Sequence, residues 1–494
     1  MRITLLLLLC SFPAWSEQKL PNILIFLVDD MGLMDTSVPF LTDKKGDPKK
    51  HSFNEFYRTP GMERLAKSGV RFSRFYANSV CSPTRISLLT GQSSARHKTT
   101  QYIKPEVKNG GPEKWNWDGL SKHSVTLPRL LASKGYHTIH CGKAHLGPIG
   151  KEGADPKNVG FIENIAGRSI GAPGSYYGES NYGSGGKRAV PGLKKYHGTN
   201  TFLSEALTLE VNQAIDTSVK KNKDKPLFIH MSHYAVHAPF NVDHRFIQNY
   251  EKTNKSKKHQ AFATLIEGMD KSLNDMLNHL EKIGEAEETL VIFLGDNGTD
   301  APAGKSHDIS CSAPLRGKKG THYEGGMRAP LIIAWAKQNP ESAMQKKFPI
   351  KGGLVSNTFA TIYDIMPTVL NIADASSPKE HVIDGHDLKN MISGQVDEHP
   401  QKFLMHFPHS HRSSHYTVYI EEYKKIIYHY KSKRSAQRIE FFDLKADPVE
   451  ENNLSESHKD ETKILISSML KELNAAKAQY NLDSNGKEIK PVIP

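Results

Sequence analysis

Four short runs of nearly unbroken apolar residues, each followed at once by polar ones, constrain this chain more than any other feature. They are NILIFLV before Asp29 and Asp30, YHTIHCG before Lys143, PLFIHMSHYAV before His237, and ETLVIFLG before Asp296. A strand with one wet face alternates apolar and polar residues, so runs this continuous must be covered on both faces, as in a parallel sheet between helices. The helical stretches GMERLAKSGV, VTLPRLLASKG, FLSEALTLEVNQAIDTSVKK and FATLIEGMDKSLNDMLNHLEKIG lie between them. Strand and helix therefore alternate, and the expected fold is α/β, with a large mixed, mostly parallel sheet sandwiched by helices. Ligands of such sheets bind beyond the carboxyl ends of the strands. One Asp or Asn after a strand commonly serves a turn, but four polar tips in one chain point to one shared site.

At 494 residues the chain exceeds the ~250 to 300 at which a single core stops growing, so a second, smaller unit is expected. The texture changes after about residue 375: YTVYIEEYKKIIYHY and RIEFFDL read as antiparallel strands and ETKILISSMLKELNAAKAQY as a helix. The expected division is a leader at 1–16, a large domain at 17–375, and an α+β subdomain at 376–494. MRITLLLLLCSFPAWSEQK has one Arg, an apolar run too short to span a bilayer, then Ala14 and Ser16, the pattern of a cleaved secretory signal. Export to a periplasm or medium is the expectation, without stable membrane insertion. Bulky leucines before Cys10 favour its removal with the leader over lipidation there.

Three cysteines then remain, Cys81, Cys141 and Cys311. They are too few for a disulfide scaffold, and pairing of Cys141 with Cys311 is open. Lys and Arg number 65 against 53 Asp and Glu, a net charge of +12, which favours anionic partners in general. The basic clusters KKGDPKK, KKNKDK, KTNKSKK and KSKR are scattered through loop-like segments, so each reads as solvated surface. Residues 167–192 form a Gly- and Ser-rich stretch expected to be a long loop. Its Tyr176, Tyr177 and Tyr182 are candidates for stacking on sugar rings.

Cys81 opens CSPTRISLLTG, where Pro83 suits a first helical position and Gly91 a helix end. A helix start offers unpaired N–H groups and the positive end of the dipole to an anion, and Arg85 adds a charge one turn along. The ordinary alternative is a buried thiol acting as a small apolar residue. Asp29, Asp30, Asp296 and Asn297 supply oxygen donors from two strand ends, a set suited to calcium or magnesium rather than zinc. Calcium fits better because it tolerates many protein ligands. A thiolate is a poor neighbour for such an ion, which points to an oxygen nucleophile at position 81.

CSPTR resembles the C-x-P-x-R motif of the formylglycine-dependent type I sulfatases, members of the alkaline phosphatase superfamily. LVDD, GKAHLG, HAP, GDNG and LRGKKGTHYEGGMRAP resemble the family's other blocks in the family's order, across roughly residues 22 to 375. Similarity is weaker in FFDLKADPVEENNL. The chain departs from the pattern at Ala144, where an aromatic residue is common, and at Lys318, where Gly is common.

The resemblance implies that a maturation enzyme converts Cys81 to formylglycine, and that Asp29, Asp30, Asp296 and Asn297 bind one calcium with it. One hydroxyl of the hydrated aldehyde, activated by the metal and Asp296, would attack sulfur and form a sulfate hemiester. Arg85, Lys143 and Lys319 would neutralise the developing charge, and His237 would protonate the departing oxygen. His145 would help take the second hydroxyl's proton, expelling sulfate. Each residue alone has a structural alternative; the ordered set favours catalysis. Glu324, Gly325 and Gly326 read as scaffold.

The substrate expected is a sulfated oligosaccharide or polysaccharide, an algal galactan of the carrageenan type first and a glycosaminoglycan second, with no nucleic acid involved. His409, His411 and Arg412, in HFPHSHRSSHY, are candidate sugar contacts, or else a His-rich loop. Rival readings are a phosphoesterase of the same superfamily, whose members more often carry Ser or Thr at the nucleophile, and a sugar-binding protein without catalysis.

Overall fold

The computed structural model describes residues 19–104, 118–395, 400–411, 414–431 and 436–494. The expected leader with Cys10 lies outside them, as does Arg412, and the side chains of His409 and His411 are likewise not described.

Eight strands form the large sheet: β1 Asn22–Val28, β2 Val70–Tyr76, β3 His137–Gly142, β4 Glu163–Ile165, β5 Leu227–Ser232, β6 Thr289–Gly295, β7 Leu331–Trp335 and β8 Val355–Thr361. Their spatial order is β4-β3-β5-β1-β6-β7-β2-β8. β7 runs antiparallel to both β6 and β2, and the remaining neighbours are parallel. The four apolar runs of the sequence are thus the four adjacent strands β3, β5, β1 and β6.

β1 shows why its run is continuous. Ile23, Ile25 and Leu27 enter the core on one face of the sheet, and Leu24, Phe26 and Val28 the core on the other. The helices Leu203–Lys221 and Lys257–Lys282 cover the second face through Leu207, Val211, Leu265 and Met269. Cys81–Thr90 and Ile365–Ile372 cover the first, through Ile86, Leu88, Leu89, Val369 and Leu370.

A second sheet is antiparallel: β9 Lys402–His411, β10 Ser414–Glu421, β11 Lys424–His429 and β12 Arg438–Asp443, in the order β12-β11-β10-β9. On its outer face Tyr419, Ile426 and Phe441 pack against Leu465, Ile466, Met469 and Leu473 of the helix Lys459–Ala475. Burying each such aliphatic side chain contributes roughly 1.5–3 kcal/mol. The inner face, with Phe403, Met405, Tyr416, Val418 and Ile427, belongs to the first core of the large sheet.

Lys425 of β11 is fully buried between Glu450 Oε1 at 2.6 Å and Glu324 Oε1 at 3.1 Å. The Glu324 amide donates to Glu450 Oε2 at 2.7 Å. Glu324 therefore ties the small sheet to the large one, the scaffold role expected of it. Cys141 and Cys311 are separate buried free thiols. The cluster at 44–50 is exposed, as solvated surface should be. Among the described residues no helix is long and apolar enough to cross a membrane.

Candidate active site

The tips of β1, β3, β5 and β6 stand side by side, and their trailing residues form one buried polar cluster. Asp29 and Asp30 follow β1, Lys143 and His145 follow β3, and Asp296 and Asn297 follow β6. Asp296 N donates to Val28 O at 3.0 Å, locking the β6 tip to the β1 tip. Val236 N donates to Asp29 O at 2.6 Å, which draws the His237 segment inward. Asp30 (φ 62°) and His145 (φ 57°) occupy the left-handed region, a strained backbone typical of functional positions. Gly142 (φ 100°) admits no side chain, because a Cβ there would overlap the carbonyl of Ser232. That close approach brings Lys143 O beside Ser232.

Cys81 is the first residue of the helix Cys81–Thr90, which ends at Gly91 in the left-handed conformation. Pro83 sits at the third helical position rather than the first, where its missing N–H is still no loss. Arg85 is wholly buried. Its Nε donates to Asp296 Oδ2 at 2.9 Å, and its Nη1 donates to Lys143 O at 2.9 Å and Ser232 Oγ at 2.7 Å. Ser232, unremarked in the sequence, thus fixes the guanidinium by donating in turn to Lys143 O at 2.7 Å. Its only signal was its place at a strand tip.

Lys143 Nζ donates to Asp29 Oδ2 at 2.6 Å, and Lys319 Nζ to Asp30 Oδ2 at 2.5 Å. His237 Nε2 stands 3.6 Å from Asp30 Oδ2. Burial would raise the Asp30 carboxyl, but Lys319, His237 and Lys143 outweigh it and hold it below the usual range. Burial pushes the Cys81 thiol up to about 11 against the pull of Lys143 and Lys319, so an unmodified Cys81 is a neutral, weak nucleophile. Burial and the neighbouring Lys143 hold His145 far below the ordinary imidazole range.

Two groups of donor atoms gather within 4.8 Å of one another, one from Asp29, Cys81 and Asp296, the other from Asp29, Asp30 and His237. Asp29 Oδ1 and Asn297 Oδ1 are buried without a hydrogen-bond partner. Buried oxygens left unpaired are costly. Together with Asp30 and Asp296 they make an oxygen-rich set that fits a hard divalent cation.

Beside this cluster opens a cavity of about 250 Å³ lined by Cys81, His145, His237 and Lys319, with Tyr102 and Arg188. All ten residues expected at the sulfate and metal site are therefore brought together. The tyrosines proposed for stacking are not part of it. Tyr176 and Tyr182 are fully buried, and Tyr176 OH donates to the carbonyls of Tyr234 and His237. Tyr177 stacks on His244. The long loop reaches the cavity through Gly171, Ala172 and Arg188 instead. Gly171 lies so close to His145 that a Cβ would stand 2.7 Å from its Cε1. His406 is structural, its Nδ1 and Nε2 bonded to Thr417 Oγ1 and Gln479 O, each at 2.7 Å. Of the two departures from the family pattern, Ala144 is buried. Lys318 donates to Ala301 O at 3.3 Å.

Comparison with known proteins matches this architecture. The Sulfatase family model fits residues 21–375, and that of the N-sulphoglucosamine sulphohydrolase C-terminal region fits residues 318–479. An N-acetylgalactosamine-6-sulfatase of Canis lupus familiaris is 28% identical, covering 81% of this chain and 71% of its own. A sulfatase of Formosa agariphila is 26% identical, covering 89% of this chain and 85% of its own. The crystal structure of Ps i-CgsB in complex with k-i-k-neocarrahexaose superposes with a TM-score of 0.70 at 21% identity, over 95% of this chain and 96% of that one. With a family model covering most of its length and the fold of its solved relatives, the chain belongs to the type I sulfatases of the alkaline phosphatase superfamily and is a sulfuric ester hydrolase.

Proposed function

We propose that this enzyme removes sulfate from a sulfated carbohydrate, using a formylglycine made from Cys81 by a maturation enzyme beside one calcium ion. The observation that carries the reading is a helix-start cysteine whose cavity is ringed by Lys319, His145 and His237 and backed by Asp29 and Asn297, each with a buried Oδ1 that accepts no hydrogen bond. Asp29, Asp30, Asp296 and Asn297 would hold the calcium, which supplies Lewis acidity toward the sulfate oxygens. Hydrated formylglycine supplies the oxygen nucleophile in place of a weak thiol.

The protein's own groups then divide the proton work. His145 Nε2 donates to Ile103 O at 2.6 Å, so its unpartnered Nδ1 carries the lone pair of a base. His237 Nδ1 donates to Ala238 O at 2.6 Å. Its Nε2 therefore bears a transferable proton only when the ring is charged, as an acid for the departing oxygen requires. Burial and Lys319 push His237 down to about 3, and a sulfate anion entering beside them offsets the lysine. Arg85, Lys143 and Lys319 are fixed by carboxylates before substrate arrives, so little reorganisation accompanies charge development.

The carrageenan oligosaccharide bound by the Ps i-CgsB structure supports an algal galactan as substrate. The names of the mammalian relatives keep a glycosaminoglycan as the second reading. A phosphoesterase reading has Cys81 against it, and a non-catalytic one has the filled site. Mass spectrometry of the Cys81 peptide, coexpressed with a maturation enzyme, tests the reading together with a panel of defined sulfated sugars. An aldehyde at position 81 and sulfate release are expected. A bare thiol in an active enzyme, or phosphate esters turned over faster, overturns it.

A further inference from the structure

We propose that His322, His429 and Glu440 form a second metal site, separate from the oxygen-lined one, that takes zinc and staples the small sheet to the loop carrying Lys319. The three residues come from distant parts of the chain. His322 follows Lys319 and Gly320 in the large domain, His429 ends β11, and Glu440 lies on β12. In the β11–β12 register Arg438 pairs with His429 and Ile427 with Glu440. His429 and Glu440 are thus diagonal neighbours on the same sheet face. That face is the one whose Ile427 joins the main core.

All three side chains are sealed, His322 being 1% exposed and His429 and Glu440 5% each. Their donor atoms lie within 4.8 Å of one another. Both ring nitrogens of His322 and Nε2 of His429 are buried without a hydrogen-bond partner. Buried polar groups left unsatisfied are costly, and neither ring nitrogen of His322 finds a partner among its neighbours, the His429 ring included. A cation accepting one lone pair from each ring removes the cost at one nitrogen of His322 and at Nε2 of His429.

The spacings fit one ion. His429 Nε2 is 3.4 Å from Glu440 Oε1 and His322 Nε2 is 3.9 Å from Glu440 Oε2. Ligands bonded at about 2.0–2.1 Å to a tetrahedral zinc stand about 3.3 Å apart. Those separations are long for hydrogen bonds and short for unrelated groups. Two imidazoles and one carboxylate suit a borderline metal such as zinc and suit calcium poorly.

Two groups already engage the carboxylate. Arg438 Nη1 lies 2.6 Å from Oε1, and Tyr323 OH donates to Oε2 at 3.2 Å. The Arg438 side chain is 57% exposed, so it can swing into water when an ion takes its place, and Tyr323 is left as the orienting second partner.

Cobalt titration of the full-length protein, previously freed of zinc and saturated with calcium, tests the site. Expected are the intense visible bands of tetrahedral cobalt, their loss on adding one equivalent of zinc, and a thermal midpoint raised by zinc. His429→Ala and Glu440→Gln should each weaken zinc binding about a hundredfold or more while calcium content stays constant. Only the pale octahedral cobalt spectrum, or equal zinc affinity in parent and variants, overturns the proposal. Should a variant fail to fold, the cobalt spectrum of the parent decides alone. The readouts are independent of sulfate release, so the site stands or falls apart from the proposed substrate.

Discussion

Lys143 Nζ lies 2.6 Å from Asp29 Oδ2, with neither side chain reaching solvent. The ammonium, with Arg85 Nη2 at 3.5 Å from the other oxygen, holds in place a carboxylate facing the proposed metal position. Breaking a buried pair from one side costs about 3–5 kcal/mol. Lys143→Ala should therefore lower the thermal midpoint, and the loss should be larger in chelator than in excess calcium. It should also lower kcat/KM by roughly 10²–10³, the scale of one preorganised charge contact. Differential scanning fluorimetry in both buffers checks the first effect, and equal losses would contradict it.

Stripping the oxygen-lined site with a chelator should abolish sulfate release, and calcium should restore it better than zinc, because the donors are all oxygens. Asp296→Asn removes a charge that also anchors Arg85 at 2.8 Å. That variant should need far more calcium for half-maximal activity. Full turnover by protein shown to be metal-free would refute the assignment.

Arg188 is exposed at the cavity mouth. A contact there with a second anionic group of an oligosaccharide is worth about 1.4 kcal/mol if it changes KM tenfold. Arg188→Ala should raise KM for a multiply sulfated oligosaccharide about tenfold and leave a small aryl sulfate unaffected. Equal penalties on both substrates would show that Arg188 does not read the sugar.

Asp270 accepts the amides of Gly61 and Met62, each at 2.7 Å, and so caps the helix Pro60–Ser68 from outside. Burial raises its carboxyl to about 7 despite those bonds. An unfolded Asp titrates near ~3.9. Between these values the folded state keeps a proton that the unfolded state has lost. The contribution is complete below pH ~4 and disappears as pH rises through 7. Asp270→Asn is neutral throughout, so its stability relative to the parent should improve from pH 5 to pH 8 by about 3 kcal/mol. Urea unfolding at both pH values measures this, and a constant difference would negate it.

The central strands were legible because both faces are buried, which forces a run such as NILIFLV. β2 was not, because VRFSRFY alternates like a half-wet strand although every residue in it is buried. Arg71 Nη1 donates to Pro39 O at 2.8 Å, and Arg74 lies over the Tyr423 ring with 3.7 Å to its centroid. Such partners are set by tertiary packing and leave no local mark. The same holds for Tyr176, whose hydroxyl finds carbonyls 58 and 61 positions away. Asp29, Lys143, Asp296 and Cys81 were readable because each follows a strand or opens a helix, whereas Lys319, in a turn between elements, was marked only by the resemblance of its block. Arg188 and Tyr102 were not readable, since they sit in segments without period.

Ser79, two residues before Cys81, donates its amide to Met405 S at 3.2 Å, and its hydroxyl lies 3.1 Å from Tyr416 OH. These partners follow it by 326 and 337 positions. A nascent polypeptide leaving the ribosome therefore lacks the partners of the turn before Cys81 until the strands bearing Met405 and Tyr416 have been translated. Closing loops over such spans costs chain entropy that only the assembled small sheet repays, so the corner beside Cys81 depends on the C-terminal strands being in place.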